Sequence, residues 1–100
     1  MDSSALLTEL GELLEPEEAL MAVVLFGSQA DGHARPDSDL DVAILTGDNL
    51  SEQTRQSLRL RLTVLLMEHF QTRVDVVILN AAPPFLKQQI FNKGREAFCS

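Results

Sequence analysis

The spacing of hydrophobic positions changes along the chain, and each spacing predicts a different element. Leucines within residues 6–14 recur every three to four residues, which predicts an amphipathic helix over about residues 3–14 that ends before Pro16. The apolar run from Met21 to Phe26 is short and β-branched, as is typical of a buried strand. Residues 39–45 begin with period-two alternation and predict a second strand.

The second half of the chain predicts four more elements, because hydrophobic runs again alternate with turn and capping residues. These are a long helix capped by Ser51 and reaching about Phe70, a strand over 73–79, a short helix from Pro83-Pro84 to Lys93-Gly94, and an edge strand over 95–99. The order predicts an α/β (α+β) fold in which helices pack on a small mixed sheet. No repeat or linker is visible, so we expect a single domain over residues 1–100. The long helix between the second and third strands favours a parallel crossover.

The long helix is apolar on two sides, so both sides should be buried. We expect the first stripe to cover the sheet and the first helix to cover the second stripe. The alternative is that the second stripe docks a helix of a partner protein. The first stripe is Leu58, Leu62, Leu65 and His69, the second is Leu60, Val64 and Met67, and the covering residues would be Leu6, Leu10 and Leu13.

Charge and composition exclude some classes of protein. The net charge of −7 argues against a protein that holds nucleic acid by neutralising phosphates. The charge is also uneven, at −11 over residues 1–52 and +4 over residues 53–100. No apolar stretch approaches the roughly 20 residues of a membrane-spanning helix. The single cysteine, Cys99, has no partner for an internal disulfide, and we expect a cytoplasmic protein.

Three aspartates lie where two predicted strands could bring them together. Asp39 and Asp41 project to the same side of one strand, and two such carboxylates can bracket a divalent cation such as Mg²⁺. Asp75 lies in another strand, between Val74 and Val76, which must face the opposite way. An acid in such an apolar context is costly unless it is paired or binds a metal. If the two strands are neighbours, three carboxylates converge.

A Gly27-Ser28 pair stands where the first predicted strand meets a loop. Glycine lets the backbone approach a phosphate closely, and the serine hydroxyl adds a hydrogen-bond donor. Taken singly, the pair could be an ordinary turn and the Asp-x-Asp an edge feature. Together with the third acid they describe a phosphate cradle and metal-binding carboxylates, which is the equipment for phosphoryl or nucleotidyl transfer.

This arrangement resembles a known family. Gly27-Ser28, ten intervening residues and Asp39-Leu40-Asp41 match the GS-x10-D-x-D signature of the polymerase β-like nucleotidyltransferase superfamily. The stretch VVLFGSQADGHARPDSDLDVAIL is similar to its minimal nucleotidyltransferase (MNT) subfamily. RVDVVIL resembles the strand with the third acid, and IFNKGREAF resembles the usual ending of that subfamily.

The resemblance implies a mixed-sheet fold, two Mg²⁺ ions, ATP or another nucleoside triphosphate, and transfer of a nucleoside monophosphate to an acceptor hydroxyl. It implies that Asp39 and Asp41 hold metal and that Asp75 binds metal or acts as general base. It further implies pairing with a helical HEPN protein, a toxin that the MNT protein neutralises. The residues that it implies for the triphosphate are Gly27, Ser28 and Arg35.

The loop after Ser28 departs from the family pattern. It has Gln29-Ala30-Asp31-Gly32 where the family commonly has Arg-x-Arg-Gly, so Arg35 is its only base. Two functions therefore stay open: an antitoxin that transfers a nucleotide to a protein, and a weak or inactive subunit that neutralises a HEPN toxin by contact. We discount a housekeeping or drug-modifying nucleotidyltransferase because 100 residues leave no room for an acceptor-binding domain.

Overall fold

A computed structural model of the chain describes residues 3–27 and 39–99. The order of elements follows the sequence prediction closely. None of the helices in these two segments is long and apolar enough to cross a membrane. The helices are α1 (Ser3–Leu14), α2 (Glu52–Phe70) and α3 (Pro84–Lys93), the strands are β1 (Leu20–Phe26), β2 (Leu40–Thr46), β3 (Val74–Ile78) and β4 (Arg95–Cys99), and a 3-10 turn spans Leu79–Ala81.

The four strands form one mixed sheet in the order β3-β2-β1-β4. Strand β1 pairs antiparallel with both β2 and β4. Strands β2 and β3 pair in parallel, which requires the long connection that α2 supplies. Both the parallel crossover and the edge position of β4 are confirmed. This topology places two strands that are far apart in sequence side by side.

One face of the sheet carries the main hydrophobic core, which α1 and α2 cover. Every second residue of β2 and β3 faces this core, as the two-residue period of a strand requires. The buried residues of this core are Leu6, Leu10 and Leu14 from α1, Leu20, Val23 and Leu25 from β1, Leu40, Val42 and Ile44 from β2, Leu58, Leu62 and Leu66 from α2, and Val74, Val76 and Ile78 from β3.

The opposite face carries a smaller cluster beneath α3. Ile90 of α3 packs with Val24, Ala43 and Leu79, and partly buried apolar side chains surround them. Asp41 alternates with Leu40 and Val42 along β2 and therefore projects to this second face. Helix α3 covers only part of the face, so room remains beside it for a site.

Helix α2 does not pack as its sequence pattern predicts. The buried side chains are Leu58, Leu62 and Leu66, while Leu65 is only partly buried. His69 is exposed near the end of the helix, where its Nε2 lies 2.6 Å from Glu9 Oε1 of α1. Including His69 in the sheet-covering stripe was wrong, because an imidazole paired with a carboxylate is cheaper to leave in water than to bury.

The second stripe of α2 is exposed to solvent. Leu60 is 57% exposed, Val64 55% and Met67 43%. The expectation that α1 covers this stripe is therefore wrong. Helix α1 lies beside α2 on the same sheet face and directs its buried leucines into the common core, so it does not reach the outer side of α2.

The ends of the helices follow the predicted capping residues. The Ser51 hydroxyl accepts a hydrogen bond from the Thr54 N–H at 3.1 Å, which caps α2 as predicted. Gly94 ends α3, and its N–H donates to the Ile90 carbonyl at 2.7 Å. Its backbone is extended (φ −78°), so glycine is needed here for space. A side chain at this position would collide with the Ile90 carbonyl and the Val24 side chain of β1.

Candidate active site

The carboxylates of Asp41 and Asp75 lie on neighbouring strands. The parallel register pairs Asp41 of β2 directly with Asp75 of β3. Neighbouring strands are about 4.8 Å apart, so the two side chains leave the same sheet face side by side. Asp39 comes one residue before β2, two positions from Asp41 and on the same side by alternation. The condition on which the sequence predicted convergence of the acids, that the two strands are neighbours, is therefore met.

The negative charges of Asp75 and Asp39 act on Asp41. The pKa of Asp41 is raised above its ordinary value, first by partial burial and then by the negative charges of Asp75 and Asp39. Asp41 is half-buried, whereas Asp39 and Asp75 are exposed. The burial cost anticipated for Asp75 does not arise, because only its neighbours Val74 and Val76 are buried, on the opposite face. The N-terminal end of β2 therefore carries a concentration of negative charge.

Gly27 lies directly against the Asp41 side chain. The antiparallel register pairs Phe26 with Asp41, and Gly27 follows at the end of β1. Its φ of +78° is in the left-handed region that favours glycine. A Cβ built at Gly27 would collide with the Asp41 carboxylate. The glycine predicted to approach a phosphate thus lies beside the carboxylate predicted to hold a metal.

The residue types at this edge fit a divalent cation, since carboxylate oxygens are the hard ligands that Mg²⁺ prefers. Within residues 3–27 and 39–99, however, no three Asp, Glu, His or Cys side chains are already gathered as a metal-binding group. The strand register aligns the Asp41 and Asp75 backbones. Their side chains must rotate before their carboxylate oxygens can bind the same ion.

A groove of about 180 Å³ begins at Gly27 and runs along α3. Its lining is mainly apolar, with the Gln89 amide and the Lys93 ammonium group as polar members. Lys93 was not among the site residues predicted from the sequence. The feature of the sequence that could have indicated this position is Gly94, whose lack of a side chain lets the end of α3 approach β1. The lining residues are Phe26, Gly27, Leu86, Gln89, Ile90 and Lys93.

Several predicted site residues lie outside the described residues. Ser28 and Arg35, both expected to contact the triphosphate, fall in the segment 28–38. Gln29 and Asp31, which depart from the family pattern, lie in the same segment. Of the six predicted site residues, the structure places Gly27, Asp39, Asp41 and Asp75 around one end of β2.

A polar network holds the other end of β2. The Asn80 side chain accepts a hydrogen bond from the Thr46 N–H at 2.9 Å and donates one to the Thr46 carbonyl at 2.8 Å. Arg55 of α2 donates through Nε to the Thr46 hydroxyl at 3.0 Å. The buried Thr46 is thereby fully satisfied, and this network ties α2 and the turn after β3 to the strand that carries Asp41.

The chain is similar to known nucleotidyltransferases. Residues 8–100 match the family described as Polymerase beta, Nucleotidyltransferase. A curated relative is the protein adenylyltransferase MntA of Shewanella oneidensis, 34% identical over 77 residues. The match covers 77% of this chain and 52% of MntA, so the chain spans about half the length of this curated relative.

The solved structures similar to this fold include toxin–antitoxin complexes. One is a crystal structure of a toxin–antitoxin with AMP-PNP, with a TM-score of 0.78 and 28% identity, covering 94% of this chain and 73% of the other. Another is a complex of a tri-AMPylated Shewanella oneidensis HEPN toxin with an MNT antitoxin. Its TM-score is 0.72 at 25% identity, and the match covers 98% of this chain and 73% of the other.

Proposed function

Because the chain belongs to the polymerase β-like nucleotidyltransferase family, we propose that it transfers a nucleoside monophosphate, AMP from ATP, to a hydroxyl group of a protein. The observation that carries this proposal is the register that pairs Asp41 with Asp75 beside Gly27. This register brings carboxylates and a close-approach glycine to one end of the sheet, where metal, phosphate and acceptor must meet.

The carboxylates have separate roles in this proposal. Asp39 and Asp41 would hold Mg²⁺ through their oxygens, with Asp75 as a further ligand or as the general base. Two bound Mg²⁺ ions would neutralise negative charge on the acceptor oxygen that attacks the α-phosphate and on the pyrophosphate that leaves. Asp75 is the better candidate for general base, because it is more exposed than Asp41 and so is open to an incoming acceptor hydroxyl.

The nucleotide would lie between Gly27 and α3. Gly27 lets the backbone approach the phosphates, Ser28 would add its hydroxyl, and Arg35 would add a positive charge. The groove that starts at Gly27 offers apolar side chains for a ring, with the Gln89 amide and the Lys93 ammonium group beside them. Lys93 would supply positive charge that the loop lacks at residues 29–32.

The acceptor in this proposal is a HEPN protein, and the chain acts as the antitoxin of a HEPN ribonuclease toxin. The support is the similarity to MntA, a protein adenylyltransferase, and to an MNT antitoxin in complex with an AMPylated HEPN toxin. The charge of −7 supports a protein acceptor over a nucleic acid. We place the protein in the cytoplasm. With a single cysteine the chain forms no internal disulfide, so its fold does not depend on an oxidising compartment.

The second candidate function is neutralisation by contact without transfer. It is favoured by Gln29 and Asp31, because the family's arginines at these positions would help to hold a triphosphate. A chain that lacks them would still fold and still bind a partner. Both candidates share the partner and differ in whether nucleotide is consumed.

Incubation with α-labelled ATP, Mg²⁺ and a HEPN-domain protein that binds this chain tests the proposal. We expect label on the HEPN protein with the wild type and none with Asp41→Asn, which removes one metal-binding charge. The control is Glu68→Gln, which also removes one exposed negative charge but lies on α2, the helix that covers the opposite sheet face. Wild-type labelling by the Asp41 variant would contradict the enzymatic role. Binding without labelling would establish the contact mechanism.

A further inference from the structure

Helix α3 exposes two aromatic side chains on its outer side. Phe85 is 72% exposed and Phe91 60%, the highest values among the large hydrophobic residues that the structure describes. Burying a phenylalanine side chain stabilises a fold, and this fold forgoes that gain at two positions within one short helix. Helix α3 needs neither ring for its own packing, because Ile90 holds it against the sheet.

Both rings lie on the sheet face that carries the carboxylates. Phe85 lies one helical turn before Gln89, which lines the groove at Gly27. Phe91 lies one turn after Lys87, and these two residues line a second groove of about 290 Å³ on the other side of α3. The outer side of α3 therefore joins two grooves, one of which leads to the candidate active site.

The charge around α3 is opposite to that of the whole chain. The helix carries Lys87 and Lys93 and no acidic residue, whereas the chain has a net charge of −7. Arg55 adds a third positive charge at the second groove, where it donates hydrogen bonds to the uncharged Thr46 hydroxyl and Gly47 carbonyl. Asp48 is the single acid among the residues lining the two grooves. A protein that docks here should present carboxylates around apolar side chains.

We propose that the α3 surface, formed by Phe85, Lys87, Gln88 and Phe91, docks the protein that accepts the nucleotide. This inference rests on the proposed function and adds the site of acceptor binding and the chemistry of the matching patch. A partner seated here lies on the same sheet face as Asp75 and can present a hydroxyl to it. A second copy of the chain is the less suitable occupant, because lysines would face lysines and two chains of charge −7 would repel.

The exposed stripe of α2 provides an internal comparison. Leu60 is 57% exposed, close to the value for Phe91, but α2 covers the opposite sheet face. A partner bound there would have the whole sheet between itself and the carboxylates. Substitutions on the two helices therefore separate a general effect of exposed apolar side chains from acceptor docking.

The test compares Phe85→Ser/Phe91→Ser with Leu60→Ser in AMP transfer to the HEPN protein. We expect the α3 variant to raise KM for the HEPN protein about tenfold or more, since buried aromatic anchors dominate such interfaces. We expect kcat at saturating HEPN protein and the affinity for AMP-PNP to stay at wild-type values. Leu60→Ser should leave all three unchanged. An unchanged KM in the α3 variant, or an increase only in Leu60→Ser, would overturn the proposal.

Charge provides an independent test of the same surface. Lys87→Glu should weaken binding of the HEPN protein in calorimetry, and the loss should be greater at low salt than at high salt. Calorimetry also applies if the wild type transfers no nucleotide, an outcome that refutes only the enzymatic function. Sedimentation of the chain alone tests the other occupant. A dimer that Phe91→Ser converts to a monomer would assign the α3 surface to self-association and refute acceptor docking.

Discussion

At the scale of single residues, Gly27 couples backbone conformation to the position of a carboxylate. We expect Gly27→Ala to lower both stability and nucleotide transfer. The left-handed φ costs a non-glycine residue about 1 kcal/mol or more, and the new Cβ must displace the Asp41 carboxylate. The measurements are the free energy of unfolding in urea and the rate of AMP transfer.

Gly47→Ala is the matched control for this prediction. Gly47 does not have a left-handed φ, and a Cβ there would meet only the end of the Asn49 side chain, which is free to move. The control should lose little stability and no transfer activity. Equal losses in the two variants would show that the contact between Gly27 and Asp41 has no special role.

The carboxylate cluster predicts a pH dependence for Asp41. Because the pKa of Asp41 is raised in the folded state, its ionisation destabilises the fold, and this penalty is fully present above the folded pKa. In EDTA at pH 7 we therefore expect Asp41→Asn to be more stable than the wild type, by less than about 1 kcal/mol for a partly exposed group.

The advantage of the Asp41 variant should shrink as pH falls through the folded pKa of Asp41 and vanish below the ordinary value of 3.8, where the aspartate is protonated in both states. Urea unfolding at several pH values measures it. A variant that is less stable than the wild type at pH 7 would show that Asp41 makes a stabilising contact that outweighs the repulsion.

At the scale of elements, the two sides of α2 differ in what they contribute to stability. Val64 is 55% exposed, so we expect Val64→Lys to change the free energy of unfolding by no more than about 0.5 kcal/mol. Leu62→Lys places a charge at a fully buried position two residues away and should unfold the domain. Thermal melts followed by circular dichroism distinguish these results. Unfolding of the Val64 variant would place this side of α2 in the core.

Elements with a strong local signal could be predicted from the sequence. The caps at Ser51 and Gly94 and the period of β2 predicted where elements begin and end, and the length of α2 favoured the parallel crossover from β2 to β3. The meeting of Asp41 and Asp75 was predicted only on the condition that these two strands are neighbours. Periodicity cannot say which neighbour covers a helix. For this reason Val64 was wrongly predicted to be covered by α1.

The groove along α3 could not be predicted from the sequence pattern, for a related reason. It depends on how closely the end of a helix approaches β1, and this distance is set by space at Gly94. Gly94 was interpreted as an ordinary helix cap. The segment 28–38, on which Ser28 and Arg35 fall, lies outside the described residues, so their roles stay predictions.

At the scale of the whole molecule, folding brings together acids from both halves of the chain. Asp39 and Asp41 belong to the acidic first half, while Asp75 comes from the basic second half. A cation that binds the folded cluster and not the unfolded chain stabilises the fold by mass action. We therefore expect Mg²⁺ or Mn²⁺ to raise the melting temperature of the wild type and to have a smaller effect on Asp41→Asn.

Thermal scans in Mg²⁺, with equal ionic strength in the reference, measure this shift. Asp48→Asn should respond as the wild type does, because this aspartate stands in the turn at the opposite end of β2. An equal response of the wild type and the Asp41 variant would mean that the ion binds elsewhere or only screens charge.

The sequence of β3 also disfavours any other register between β2 and β3. If β3 entered the sheet displaced by one residue, its faces would exchange, and the Asp75 carboxylate would point among the leucines beneath α2 while Val74 and Val76 turned to water. Burying that charge without a partner costs several kilocalories per mole, so the fold with the shifted register is much less stable than the native fold. A molecule that completes its core has by the same step aligned its carboxylates, and stable but misassembled copies should be rare.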